Sequence, residues 1–395
     1  MAFDAILKRC MDASPIPVMA RSLITRVFSD QKLNDCFERA TEKQYTRELL
    51  FDSLFKLMSL VVTRTFPSVH AAYQVNKDEI GVSISAVYDK LNGLETSVSS
   101  ASVQQTALDM EAMIEQMDAR RQPLLPGYRI KMLDGNCIEA SDHRLSVLRD
   151  QGAAPLPGKS LVVYDPSLEM AIDVFPCEDG HAQERSLLGN VIQTVQANDV
   201  WIADRNFCVR HFLMDIRARQ GCFIIRQHKQ PPYESVSEPE KVGESDTGDI
   251  YDQWVTLQDD HGQAIRLRRI IVKLKKKTRN GDTELVLLTN LPKGKASANV
   301  IAHLYRKRWT IETMFQQLES YLQSEINALG YPKAALFGFC VALVAYNVMV
   351  VIKAAMRHVH GEEKIEQEVS GYYIAGEILG VYVWMHSIRV ELRLM

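Results

Sequence analysis

Three acidic residues of this 395-residue chain stand where its predicted elements end or turn inward. They are Asp134 in Met132-Leu133-Asp134-Gly135-Asn136, Asp204 in Trp201-Ile202-Ala203-Asp204-Arg205, and Glu312 in Tyr305-Arg306-Lys307-Arg308-Trp309-Thr310-Ile311-Glu312. Carboxylates that emerge together from neighbouring elements repel unless a cation lies between them, and hard oxygen ligands favour Mg2+ or Mn2+. Two such ions held by Asp134, Asp204 and Glu312 would suit phosphoryl transfer. At about 100° per residue, Tyr305, Arg308 and Glu312 share one helical face, where the guanidinium can grip a phosphate through two parallel bonds. Taken singly, each Asp reads as a strand-end turn former, and Glu312 as half of a solvated i, i+4 pair worth roughly 0.2–0.5 kcal/mol. Their weight comes from where the surrounding elements put them.

Residues 1 to about 120 read as helices: Pro17–Phe28, Tyr45–Arg64 and Ala101–Met117 carry apolar residues at three- and four-residue spacing. Within them, Gly81 to Leu91 has the pattern of the turn and second helix of a helix-turn-helix, with Ser83 or Ser85 as N-cap. From Tyr128 the period changes. Tyr128–Leu133, Ser160–Tyr164 and Met170–Phe175 are predicted strands, followed by a helix from Gln183 to Gln196 and a strand from Val200 to Ala203. A helix from Val209 to Gln220 and a fifth strand, Phe223–Arg226, complete the series. Three strands, helix, strand, helix, strand is the order of a ribonuclease H-like domain, in which acids at the ends of the first and fourth strands lie side by side.

The next seventy or so residues hold Pro231, Pro232, Pro239, Gly243, Gly248 and Gly281, with strand-like runs at Trp254–Gln258, Ile265–Leu274 and Glu284–Leu288. A β-rich insertion fits them better than a loop of that length. One helix is then predicted from Ala296 or Ser297 to about Gln323, and an apolar one after Pro332. The expected fold class is α+β or α/β. A helical DNA-binding domain (1–120) precedes a ribonuclease H-like catalytic domain (121–228 and 296–357) that carries the insertion (229–295) and a C-terminal helical segment (358–395).

The net charge of −3 averages over segments of opposite sign. Ile265 to Arg279 carries eight cations and no acid, and such a stripe can neutralise phosphates whatever the total charge. A strand edge guarded by basic residues looks the same. Ala334 to Ile352 passes a length test for a membrane span, but Gly338 and Asn347 interrupt it and a helix buried on all sides gives the same signal. The buried helix is expected, with no membrane partner. Seven scattered cysteines without a Cys-x-x-Cys pair indicate neither a disulfide framework nor structural zinc. Met1 to Leu23 offers no continuous signal-peptide core, so no export is expected.

The motifs resemble those of the DDE transposases of bacterial insertion sequences, in the insertion sequence 4 family. Tyr305, Arg308 and Glu312 match Tyr-x2-Arg-x3-Glu, the core of the third motif; Leu133-Asp134-Gly135-Asn136 resembles the first-aspartate motif. Ile202-Ala203-Asp204-Arg205-Asn206-Phe207 with Phe223-Ile224-Ile225-Arg226 resembles the second, and Leu288-Thr289-Asn290-Leu291 the strand that leaves the β insertion. The resemblance covers about Tyr128 to Asn347. It implies Asp134, Asp204 and Glu312 as catalytic and metal-holding residues, Tyr305, Arg308 and Arg205 as DNA contacts, and two Mg2+ (or Mn2+) ions as cofactors. Its implied partners are double-stranded DNA at inverted-repeat ends and targets and a second copy of the chain on DNA, in the bacterial cytoplasm at the nucleoid.

One departure stands out: the family usually has a Lys seven residues beyond the glutamate, and this chain has Glu319. A catalytically inactive, DNA-binding remnant is therefore the alternative, and a stand-alone nuclease on the same fold a third. Trp201 and Trp309 adjoin apolar runs, so core packing is expected of both over stacking on a flipped base. The Glu178-to-Arg185 cluster around His181 reads as a turn and helix cap rather than a catalytic group.

Overall fold

The structure is a computed structural model and describes residues 15–43, 49–138, 158–228, 233–258, 262, 264–278 and 281–379. Arg279, and residues 380–395 of the expected C-terminal segment, lie outside the described residues. Six helices come first: α1 (Pro15–Val27), α2 (Asp30–Ala40), α3 (Phe51–Val62), α4 (Val69–Ile80), α5 (Ile84–Gly93) and α6 (Thr96–Gln116). Serines start three of them, the Ser29, Ser68 and Ser83 side chains accepting from the backbone N–H groups of Lys32, Ala71 and Ala86. Gly81 stops α4 in the left-handed conformation, φ 69°, and this cap makes the tight α4–α5 turn possible. The local shape of a helix-turn-helix is thus present. Its second helix presents Ser85 and Asp89 to solvent, and its cation, Lys90, lies 4.5 Å from the centroid of the Phe37 ring, so α5 offers no exposed basic face.

The sheet then begins with β1 (Arg129–Cys137), β2 (Lys159–Asp165) and β3 (Met170–Cys177). A 3-10 turn at Glu184–Leu187 leads into α7 (Leu188–Gln193), shorter than the helix predicted to Gln196, then β4 (Asp199–Ala203), a 3-10 turn at Arg205–Phe207, α8 (Arg210–Ala218) and β5 (Cys222–Arg226). Strands β1, β4 and β5 run parallel and β2 antiparallel, in the order β3-β2-β1-β4-β5, the arrangement expected of a ribonuclease H-like sheet. The insertion adds β6 (Tyr233–Ser235), β7 (Glu240–Ser245), β8 (Gly248–Gln258), β9 (Ala264–Leu274) and β10 (Glu284–Thr289). These strands do not form a separate layer. β10 pairs with β5, so the order continues β5-β10-β9-β8-β6 and one sheet runs through both parts.

Each central strand is buried on both faces. Met132, Ile202 and Ile224 enter one apolar cluster, while Leu133, Trp201, Ala203, Phe223 and Ile225 enter the other, as alternation across a pleat requires. The first cluster is completed by α9 (Ala298–Arg306), α10 (Trp309–Tyr321), the long α11 (Pro332–His360) and the six N-terminal helices. Helix α11 packs against α1, α3, α5, α6 and β3, and α6 also lies on β3, so the helices before residue 120 share a core with the sheet. The apolar segment predicted to be buried is so: 94% of its most hydropathic window is inside. Asn347, the polar interruption, is fully buried and pairs both its amide groups with the backbone of Ala171 on the edge strand β3, at 3.0 and 2.7 Å.

Candidate active site

β1 runs on beside β2 to Cys137, three residues beyond Asp134, where the sequence predicts an end at Leu133. Its pairing with β4 does end there, at Leu133 opposite Ala203, so Asp134 is the first β1 residue that outruns its parallel neighbour. Asp204 follows directly on β4 and caps the next turn, its Oδ1 accepting from Asn206 N–H at 2.7 Å. Parallel pairing therefore brings two carboxylates, 70 residues apart in sequence, to one edge of the sheet.

The third comes from α10. The single helix predicted to about Gln323 is broken: α9 ends at Arg306 and α10 starts at Trp309, with Arg308, Thr310 and Ile311 bonded three residues back to Tyr305, Lys307 and Arg308. Such i→i−3 bonds wind the chain tighter, near three residues per turn, and set Arg308 over Tyr305. The shared face expected from a regular helix survives, for a different geometric reason.

Arg308 joins the carboxylates. Its Nη1 donates to Asp134 Oδ2 at 2.7 Å and its Nη2 to Glu312 Oε1 at 2.5 Å, although Asp134 lies 174 residues away. Arg308 is only 9% exposed, and its Nε has no partner among the described residues. Burial pushes the Asp134 carboxyl up to about 6; Arg308 and the Gly135 N–H pull it back, while Asp204 and Glu312 raise it further. Tyr305 is buried beside Arg308, Arg226 and Asp204, and burial pushes its hydroxyl up to about 12. Three carboxylates, two arginines and a protonated tyrosine thus feel one another here. Among the described residues no three His, Cys, Asp or Glu side chains stand close enough to hold a metal ion, and the Arg308 guanidinium lies bonded between Asp134 and Glu312.

Other residues at this edge carry weaker sequence signals. Arg226, the last residue of β5, donates to Asp282 at 2.7 Å, and Arg205 lies near enough to help hold Asp282 below the usual carboxylate range, after the larger effect of Arg226. Glu184 accepts from the Asn206 side chain at 2.5 Å and sits where a side chain on Gly135 would be, 2.1 Å from an ideal Cβ. The absence of a side chain on Gly135 thus leaves room for the Glu184 carboxylate to lie against β1. Arg185 ties the same turn, donating to Asn206 O at 2.7 Å. His181 is exposed and belongs to an Asp179 turn, as predicted, but no side chain caps the 3-10 helix that follows.

The basic run on β9 is not one stripe. Alternation puts Arg266 and Arg268 on one face and Arg269 and Lys273 on the other; Arg268 is 1% exposed and paired with Asp252, while Arg266 stacks on Trp254, Arg269 on Tyr233 and Lys273 on Tyr251. Lys275 pairs with Glu244. Trp201 is fully buried, but Trp309, expected in the core, is 69% exposed because the break before α10 turns it outward next to Arg308.

Residues 157–348, which include Asp204, Arg308 and Glu312, match a family described as the transposase DDE domain. A Sinorhizobium fredii (strain NBRC 101917 / NGR234) protein named "Putative transposase y4zB" is 27% identical over 197 residues. That match covers 48% of this chain and 52% of the relative, so about half the length of each is aligned. A chain from the cryo-EM structure of the piggyBac transposase synaptic complex with hairpin DNA aligns at a TM-score of 0.48 and 9% identity, over 95% of this chain and 82% of that one.

Proposed function

We propose that this chain is a DDE transposase of an insertion sequence, and that it binds the terminal inverted repeats of its element and catalyses metal-dependent DNA cleavage and strand transfer. The observation that carries this reading is the bridge by Arg308 from Asp134 on β1 to Glu312 on α10, beside Asp204. Burial raises the Asp134 carboxyl to about 6 despite a guanidinium at 2.7 Å, and the neighbouring Asp204 and Glu312 carboxylates add to the rise. Hard oxygen donors in that state fit Mg2+ or Mn2+. Asp134, Asp204 and Glu312 would hold two ions, which supply charge neutralisation and an activated oxygen nucleophile.

The protein's own groups divide the remaining work. Arg308 exchanges its carboxylate partners for a backbone phosphate, to which its planar fork is matched. Tyr305, protonated at neutral pH with its hydroxyl near 12, donates a hydrogen bond to the same strand and is not a nucleophile. Arg205 and Arg226 stand at the sheet edge beside Asp204, where Asp282 is their present counter-charge and DNA would replace it. Cleaving two ends together calls for a homodimer on DNA, working in the bacterial cytoplasm at the nucleoid. The motif Tyr305-x2-Arg308-x3-Glu312 supports the insertion sequence 4 family as its subfamily.

A second reading is a DNA-binding remnant without catalysis, and Glu319 is the observation that favours it: exposed, on the α10 face of Glu312, it sets an anion against the DNA. One experiment separates them. Purified protein is incubated with a labelled duplex carrying its element end, in Mg2+ or EDTA, beside Asp204→Ala. Nicking or hairpin formation at the element boundary, dependent on metal and absent from the variant, is expected. Binding without cleavage by either protein would establish the remnant, and cutting without joining or end preference a stand-alone nuclease.

A further inference from the structure

Helix α10 carries no Lys or Arg from Trp309 to Tyr321, and beyond Glu312 its exposed positions are Thr313, Gln316, Glu319 and Ser320. Seven residues separate Glu312 from Glu319, about 10 Å of helix rise, or the axial span of about three nucleotides of one strand. A DNA strand held at Arg308 and followed along this face meets an exposed carboxylate where its phosphates need a cation.

A cation reaches that place from the N-terminal helices. Arg64 stands just after α3 in the left-handed conformation, φ 61°, which residues with a side chain seldom take. This backbone turn sends its guanidinium across to the end of α10, where Nη2 donates to both Glu319 O at 2.7 Å and Leu322 O at 2.9 Å. Gln323 N–H closes the same junction onto Val62 O at 2.8 Å. One nitrogen makes both side-chain bonds. The Nη1 and Nε edge bonds to none of the described residues, and Arg64 is exposed.

We infer that Arg64 is a DNA-phosphate contact: α3 supplies, at the C-terminal end of α10, the positive charge that α10 itself lacks. Fixed by two backbone carbonyls, the guanidinium is oriented before DNA arrives and offers its free edge to one phosphate of the strand that leaves the site. The helices before residue 120 then complete the DNA surface of the sheet with a specific residue. This inference rests on the transposase reading above.

The test is the salt dependence of binding to a duplex carrying the element end, measured for wild type, Arg64→Gln, Glu319→Lys and the double variant. Loss of one phosphate contact lowers the slope of log affinity against log salt by about 0.9. Arg64→Gln is expected to show that drop with an unchanged circular dichroism spectrum, and Glu319→Lys in the same chain to restore it. An unchanged slope in folded Arg64→Gln overturns the assignment. If Arg64→Gln does not fold, phenylglyoxal labelling of Arg64 in the wild-type protein, read by mass spectrometry, decides: protection by end DNA supports the contact and equal labelling overturns it. Wild-type protein that shows no preference for the element end sinks the transposase reading and this inference with it. Binding with an unaltered slope sinks this inference alone.

Discussion

Arg308 makes the most consequential contacts at the residue scale. A guanidinium bridges Asp134 and Glu312, so on the proposed two-ion reading Arg308 and a metal would compete for the same oxygens in the DNA-free protein. Replacing it leaves two carboxylates without their cation, Asp134 being mostly buried. Arg308→Gln is accordingly expected to bind Mn2+ more tightly than wild type in the absence of DNA, by about tenfold, or ~1.4 kcal/mol, while losing cleavage because the phosphate grip is gone. Electron paramagnetic resonance of free Mn2+ reads the first effect and the labelled-duplex assay the second. Weaker Mn2+ binding by the variant would mean that Arg308 organises the carboxylates rather than competing for them. The sequence singles out Asp134, Asp204 and Glu312 through the short motifs that surround them. Glu184 could not, because its place beside Gly135 depends on how a 3-10 turn lies against β1.

At the element scale, α11 shows how one polar residue sets the register of an otherwise apolar helix. Nineteen-residue hydropathy locates the helix but gives it no preferred rotation or height against the sheet. Asn347 supplies both, because its amide completes the backbone pairing of Ala171, whose N–H and C=O face α11 at the sheet edge. Asn347→Leu keeps the volume and leaves both backbone groups buried and unpaired, so it should cost about 1–3 kcal/mol for each group left unsatisfied. Urea denaturation of the two proteins measures it. A neutral substitution would show that α11 is positioned by its apolar contacts alone. The break between α9 and α10 also belongs to this scale. Apolar spacing runs smoothly through Lys307 and Arg308, so a single helix is the natural expectation, and only packing against β1 and the Arg308 bridge makes the tighter turn worth its poorer bonds.

At the scale of the whole molecule, the sheet and the N-terminal helices cannot be separated without opening a core. Phe337 of α11 packs on Phe51 and Phe55 of α3, ring centroids 5.7 and 6.3 Å apart, while the same helix lies on β3. Thermal unfolding should therefore show a single transition by far- and near-ultraviolet signals alike, and Phe337→Ala, at a cost of about 3–5 kcal/mol, should move all of it together. Two resolved transitions would mean the helical part folds independently. Such coupling also matters for the proposed activity, since it lets α3 present Arg64 at the end of α10 with a fixed geometry.

The sequence by itself determined the succession of strands from β1 to β5, the buried α11, the three acidic motifs and their Tyr-Arg companions. Those depend on local period, on capping residues such as Ser83 and Ser297, and on spacing within one element, all of which a linear chain carries. Tertiary structure decided what depends on two distant segments meeting. The parallel register of β1 against β4 brought Asp134 beside Asp204; Arg308 closed the bridge to Glu312; and alternation split the basic run of β9 between two faces, one of which buried Arg268 against Asp252. The continuity of the insertion with the main sheet followed from β10 pairing with β5 across 57 intervening residues. Hydrogen-bond partners between strands so far apart are chosen by the fit of whole faces, which no local pattern specifies.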